Sequence, residues 1–140
     1  MTPVPRSRTA AARFRRRLRG DRGFGSVELA VLAIVVLALT FTGLQVGLYY
    51  HAHKVAQSAA RQGVEAGRQF GAGDGDGVAQ AQAFLGRFGG SVQGASVSSA
   101  GSSAQEIHIT VRGRVATLVP GLTLEVVQHA AAPVERWTNP

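Results

Sequence analysis

One carboxylate stands at the head of a long apolar run. In GFGSVELAVLAIVVLALTFTGLQVGLYY, residues 23–50, Glu28 is the sole charged side chain. A carboxylate placed in hydrocarbon costs about 2.5–3.5 kcal/mol on insertion scales, so it needs a partner, a proton or a functional reason to be there. The plainer reading is that Glu28 lies close enough to the membrane surface for its carboxylate to reach water.

The other groups that could do chemistry do not assemble into a recognisable constellation. His51 and His53 are two apart, which on a helix separates them by about 200° and argues against a shared metal. His108 and His129 fit exposed strand positions. Asp74 and Asp76 lie in GAGDGDG, residues 71–77, which lacks both the later bidentate Glu and the ligand spacing of a calcium hand, so a solvated linker is the better reading. The serines between Ser91 and Ser103 have no Gly-x-Ser-x-Gly elbow, and there is no phosphate-binding or dinucleotide fingerprint. No catalytic residue, metal or cofactor is expected. The absence of cysteine rules out disulfides and thiolate metal sites.

The charge of the chain is separate from its body. Eight arginines and Asp21 precede Gly23 and account for the whole net charge of +7, while seven basic and seven acidic residues follow. The basicity therefore belongs to a leader, residues 1–23, and the hydrophobic segment behind it argues against a nucleic-acid-binding arm. The same asymmetry places the N-terminus in the cytoplasm and the C-terminus outside it. Leu29–Tyr50 holds 22 uncharged residues, enough for a helix across a hydrocarbon core of about 30 Å. Tyr49 and Tyr50 stand where an interfacial aromatic belt is expected. A secretory signal has a shorter apolar region and a small-residue cleavage site, so a retained anchor over residues 24–50 is favoured. Arg15-Arg16 lies inside an arginine cluster and makes a poor twin-arginine signal.

Beyond the span the helical pattern continues over residues 51–70, with Ala52, Ala56, Ala59, Ala60, Gly63 and Gly67 on one side. Gly43/Gly47 and Gly63/Gly67 are small-x-x-x-small pairs that would let another helix approach closely, the first within the membrane and the second outside. After the linker at 71–77 comes a head, residues 78–140. Val78, Ala81, Phe84, Leu85 and Phe88 form one face of a short helix over 78–88. Glu106–Val115 alternates as a half-buried strand, Pro120-Gly121 has turn chemistry, and Leu122–Gln128 resumes the alternation. A weaker strand is expected over 95–99. The expected fold is α+β: a long N-terminal transmembrane helix, then a small head with a short helix and an antiparallel sheet of about three strands.

Gly23-Phe24-Gly25-Ser26-Val27-Glu28, followed by an apolar helix, resembles the processing site of type IV prepilins and pseudopilins. The resemblance implies cleavage after Gly23 by a prepilin peptidase on the cytoplasmic face, with Phe24 as the first mature residue and Glu28 as the fifth. Cutting after Gly20 or Gly25 would make Glu28 eighth or third. It also implies an assembly role for Glu28, neutralising the new amine of an adjacent subunit's Phe24. Within this superfamily, residues 22–69 are most similar to the TadE-like pseudopilins of tight-adherence pilus systems, through GSVELA, Tyr49-Tyr50 and Ala59-Ala60-Arg61-Gln62-Gly63. The small major pilins carry Glu-Tyr where this chain has Glu28-Leu29, and they lack so large a C-terminal body. A minor pilin is therefore the closer match.

The implied protein is a non-enzymatic, single-pass subunit of the cytoplasmic membrane that joins or supports a surface pilus. Its implied partners are a prepilin peptidase, a major pilin, other pseudopilins and a pilus assembly platform. The competing reading is an uncleaved, signal-anchored extracytoplasmic binding protein of the cell envelope. An anchored enzyme is a distant third.

Overall fold

The computed structural model describes residues 10–136, with side chains from residue 25 onward. Residues 1–9 of the leader and Trp137 lie outside that range. The elements are α1 (Ala10–Gly67), α2 (Asp74–Phe88), a 3-10 turn (Gly89–Ser91), β1 (Val92–Ser98), β2 (Glu106–Val115) and β3 (Leu124–Pro133). The chain divides into two compact units, Met1–Thr42 and Gly43–Pro140.

In the first unit the described side chains of α1 are all exposed, including Leu29, Leu32, Ile34, Leu37 and Leu39. A helix that is apolar all round needs lipid or partner helices as its solvent. Its two threonines make no demand on that surroundings. Thr40 Oγ1 donates to the Val36 carbonyl and Thr42 Oγ1 to the Ala38 carbonyl, both at 2.8 Å, so each hydroxyl is satisfied one turn back along its own helix. Gly25–Gly67 is long and apolar enough to cross a membrane.

The second unit is the head, built on the remaining turns of α1. Here Ala52, Val55, Ala56, Ala59, Ala60 and Val64 are buried while Lys54, Ser58, Arg61 and Glu65 are exposed. Burial thus follows the 3-4 spacing of one helix face. These residues share a core with Ala81 of α2, Val92 of β1, Ile107, Ile109, Val111 and Val115 of β2, and Val126 of β3. The sheet is antiparallel in the order β1-β2-β3, so β2 lies centrally and supplies the deepest aliphatic side chains. On β2, positions 107, 109, 111 and 115 are buried and the alternate ones face outward. Gly113 interrupts the series because Val92 occupies the place its side chain would need.

Small residues set how closely the layers approach. A Cβ at Gly63 would lie 2.7 Å from the Gly77 carbonyl oxygen and 3.1 Å from Ile109 Cγ2, and one at Gly77 would lie 2.7 Å from the Gly63 carbonyl. A Cβ at Gly67 would meet the Gly73 carbonyl at 3.1 Å and Ile107 Cγ2 at 3.2 Å. The pair Gly63/Gly67 is therefore occupied by the chain's own α2 and β2.

Three boundaries in the head differ from the sequence reading. Helix α2 begins at Asp74, four residues before Val78. The Asp76 carboxylate accepts from the Gly73 N–H at 2.9 Å, and both aspartates sit in the first turn, where the helix dipole favours negative charge. Strand β1 begins at Val92 and accommodates an irregularity between Gln93 and Ser96, with Gly94 at φ +59°. Strand β3 starts two residues later than the alternation suggests and continues through Ala130–Ala132, whose weak β-propensity is overridden by pairing with Ile107–Ile109. Phe88 departs from the expected buried face of α2. It is exposed, its ring 4.9 Å from that of Phe84.

Two glycine substitutions separate packing from propensity. Gly63→Ala forces α1 and α2 apart and should destabilise the head by about 1–3 kcal/mol. Gly86→Ala, on the open side of α2, should stabilise it by about 0.5–1 kcal/mol. Thermal unfolding of the detergent-solubilised chain, followed by circular dichroism, reads both.

Candidate functional site

The residues with an expected role all lie on α1. Gly23 and Phe24 are within the helical backbone but precede the residues whose side chains are described. Glu28 is one turn beyond Phe24 on the same face. Its side chain is exposed, and among the described residues it makes no ion pair. Among the described residues nothing in the first unit covers it, which leaves its carboxylate open to a group from elsewhere. Gly25, Gly43 and Gly47 likewise have open space where a Cβ would stand. The structure thus distinguishes the two small-residue pairs: Gly63/Gly67 is filled from within, and Gly43/Gly47 offers an unoccupied approach.

Gln45 is the residue that reading the sequence undervalued. Within the apolar run it serves as a polar exception, yet it is buried and fastens the head to the helix. Its Oε1 accepts from the Leu118 N–H at 2.9 Å and its Nε2 donates to the Ala116 carbonyl at 3.5 Å. An amide can satisfy one backbone donor and one backbone acceptor together, which no apolar side chain could do at this position. The signal was present in the spacing. Gln45, Leu48 and Ala52 follow one another at three and four residues, extending the buried face toward the N-terminus.

Further out, the Gln128 amide on β3 lies 3.2 Å from His53 Nδ1, giving a second polar tie between α1 and the sheet. His51 is exposed, so the two histidines face different surroundings. Tyr49 packs its ring 6.4 Å from that of His53, and the Lys54 ammonium sits 5.4 Å from the Tyr50 ring centre, within cation–π range. No group of three metal-ligating side chains converges among the described residues. Asp74 accepts from the Ser99 hydroxyl at 3.0 Å, which joins the start of α2 to the end of β1.

Residues 23–65 match the family model described as TadE-like protein. This segment is TadE-like. The match begins at Gly23, includes Glu28 and the apolar run, and ends near the close of the small-residue face of α1. Helix α2 and the sheet lie beyond the TadE-like segment. No curated protein and no solved structure matches the chain.

The Gln45 anchor can be tested directly. Gln45→Leu leaves the Leu118 N–H and the Ala116 carbonyl without their partner, at a cost of about 1–3 kcal/mol. Hydrogen exchange at the Leu118 amide should accelerate, while that of the central β2 amides changes little.

Proposed function

We propose that this chain is a pseudopilin or minor pilin that supports assembly of a tight-adherence type IV pilus. The observation that carries this reading is the TadE-like match opening at Gly23, where Phe24 follows and Glu28 falls fifth from the cut. A prepilin peptidase cleaves after Gly23 and removes the basic leader, residues 1–23. Residues 24–50 hold the mature subunit in the cytoplasmic membrane, with the head outside.

The chemistry of cleavage gives Glu28 its task. Hydrolysis of the Gly23–Phe24 peptide bond releases a new amine on Phe24, which is cationic at neutral pH. In a low-dielectric bundle an unpaired amine and an unpaired carboxylate are both costly, and pairing them between subunits lowers both costs while fixing one helix against the next. The exposed Glu28 carboxylate suits such a partner. The open Gly43/Gly47 surface suits close packing against a major pilin or another pseudopilin, where small residues let helix backbones approach. In this reading the head performs no catalysis; it positions the subunit or contacts other components of the assembly platform.

Co-expression with a prepilin peptidase tests the proposal. The mature chain should begin at Phe24 by N-terminal sequencing, and Gly23→Ile should retain the full-length mass. Glu28→Gln should still be cleaved, but its co-purification with other pilin subunits should fall by about tenfold or more, as expected for an amine left without its buried partner. A chain that keeps its leader beside an active peptidase would instead be an uncleaved anchor.

A further inference from the structure

The loop between β2 and β3 has features that membrane anchoring by α1 alone does not call for. Residues 115–124, VATLVPGLTL, contain no charge, with Arg114 and Glu125 standing just outside. Leu118, Val119 and Leu122 are 43 %, 47 % and 40 % exposed, although each could have been polar at no cost to the core. Val119-Pro120-Gly121-Leu122 forms a tight turn, closed by the Leu122 N–H donating to the Val119 carbonyl at 3.2 Å, with Gly121 at φ +82°.

The position of this loop along α1 is fixed by Gln45. Tyr49 and Tyr50 mark the head-group level by the usual preference of aromatic residues for that zone. Gln45 lies four to five residues back toward the hydrocarbon, or about 6–8 Å at the helical rise. A loop held at Gln45 is therefore carried to the depth at which interfacial apolar groups typically reside, about 5–10 Å. Leu44 and Val46, flanking Gln45 on the helix, are themselves exposed and apolar.

We infer that the β2–β3 loop, residues 116–123, inserts into the outer interfacial layer of the lipid bilayer as a second membrane contact of the head. Irregular backbone enters lipid only when its polar groups are already bonded, and much of this loop meets that condition. The Leu118 N–H and Ala116 carbonyl are bonded to Gln45, and the Ala116 N–H donates to the Ser91 carbonyl at 3.4 Å. The Thr117 hydroxyl donates to the Leu122 carbonyl at 2.9 Å, and Pro120 has no N–H to satisfy. The Ser91 contact brings the end of α2 to the same side of the head, where Phe88 is 58 % exposed. Phe88 is a further exposed apolar group of the head, and the neighbouring Arg87 suits anionic head groups.

The inference rests on α1 lying in the membrane but not on leader cleavage or pilus assembly. Because the chain contains no cysteine, single substitutions can each carry an environment-sensitive fluorophore on the full chain. The chain is reconstituted in phosphatidylethanolamine–phosphatidylglycerol vesicles containing lipids spin-labelled near the head group. Val119→Cys and Leu122→Cys should report blue-shifted emission and about threefold or stronger quenching by the spin-labelled lipid than Gln105→Cys, with correspondingly weaker quenching by aqueous iodide. Val35→Cys, read in vesicles whose lipids are spin-labelled midway along the acyl chain, reports separately whether α1 is in the bilayer. Lipid quenching at Val35 with iodide access at Val119 and Leu122 equal to that at Gln105 would overturn the inference while leaving the anchor intact. Protection of Val119 from iodide without lipid quenching would also overturn it, because the loop would then be covered by protein. Loss of lipid quenching at Val35 would overturn the anchored reading and this inference together.

Discussion

Close approach between α1 and the rest of the head is the constraint on which the structure depends. A three-stranded sheet and a helix of 15 residues have little apolar surface to share, and small cores are marginal. The head compensates by bringing its layers near one another. Alanines at 52, 56, 59 and 60 are fully buried, and glycine meets glycine where α1 crosses α2 at Gly63 and Gly77. With so little side-chain volume between the layers, Ile109, Val111 and Val126 can fill the space that remains. A bulkier α1 face would hold the sheet at a greater distance and open voids that these aliphatic side chains could not close.

The apolar run and the small-residue face place different demands on one helix. From Gly25 to Thr42 the side chains are uniformly exposed and mostly apolar, while the turns from Gln45 onward divide into a buried face and a polar one. The TadE-like match covers both regimes and stops before α2. The part of the chain that resembles the family is thus the part that must satisfy lipid at one end and a packed core at the other. The head's remaining elements need only complement the face that α1 presents.

The pattern of the chain made much of this legible. Period-two alternation located β2 to the residue, because alternate burial of Ile107, Ile109 and Val111 decides the register. Pro120-Gly121 announced its turn through the fixed φ of one residue and the positive φ of the next. What escaped was decided by tertiary partners. Ala130–Ala132 have no strand signature of their own and are strand because β2 requires a partner along its whole length. Gly77 resembles a helix breaker until α1 is placed against it. Gln45 shows the same limit at the candidate site, since its role depends on a loop more than seventy residues away in sequence. The role proposed for Glu28 draws on local signals alone: one acid, one apolar run and the glycine at position 23.

The end of β3 closes the head on itself. The Glu135 N–H donates to the Arg68 carbonyl at 2.9 Å, the Arg68 guanidinium reaches Glu135 at 3.6 Å, and Arg136 donates to the Ala104 carbonyl. Arg68 lies 23 residues beyond Gln45, about 34 Å along a helix. Glu135 consequently sits beside the last turn of α1, at the end of the head remote from Gln45. The head is therefore fastened at both ends of its stretch of helix, by Gln45 at one end and at Arg68, just past α1, at the other.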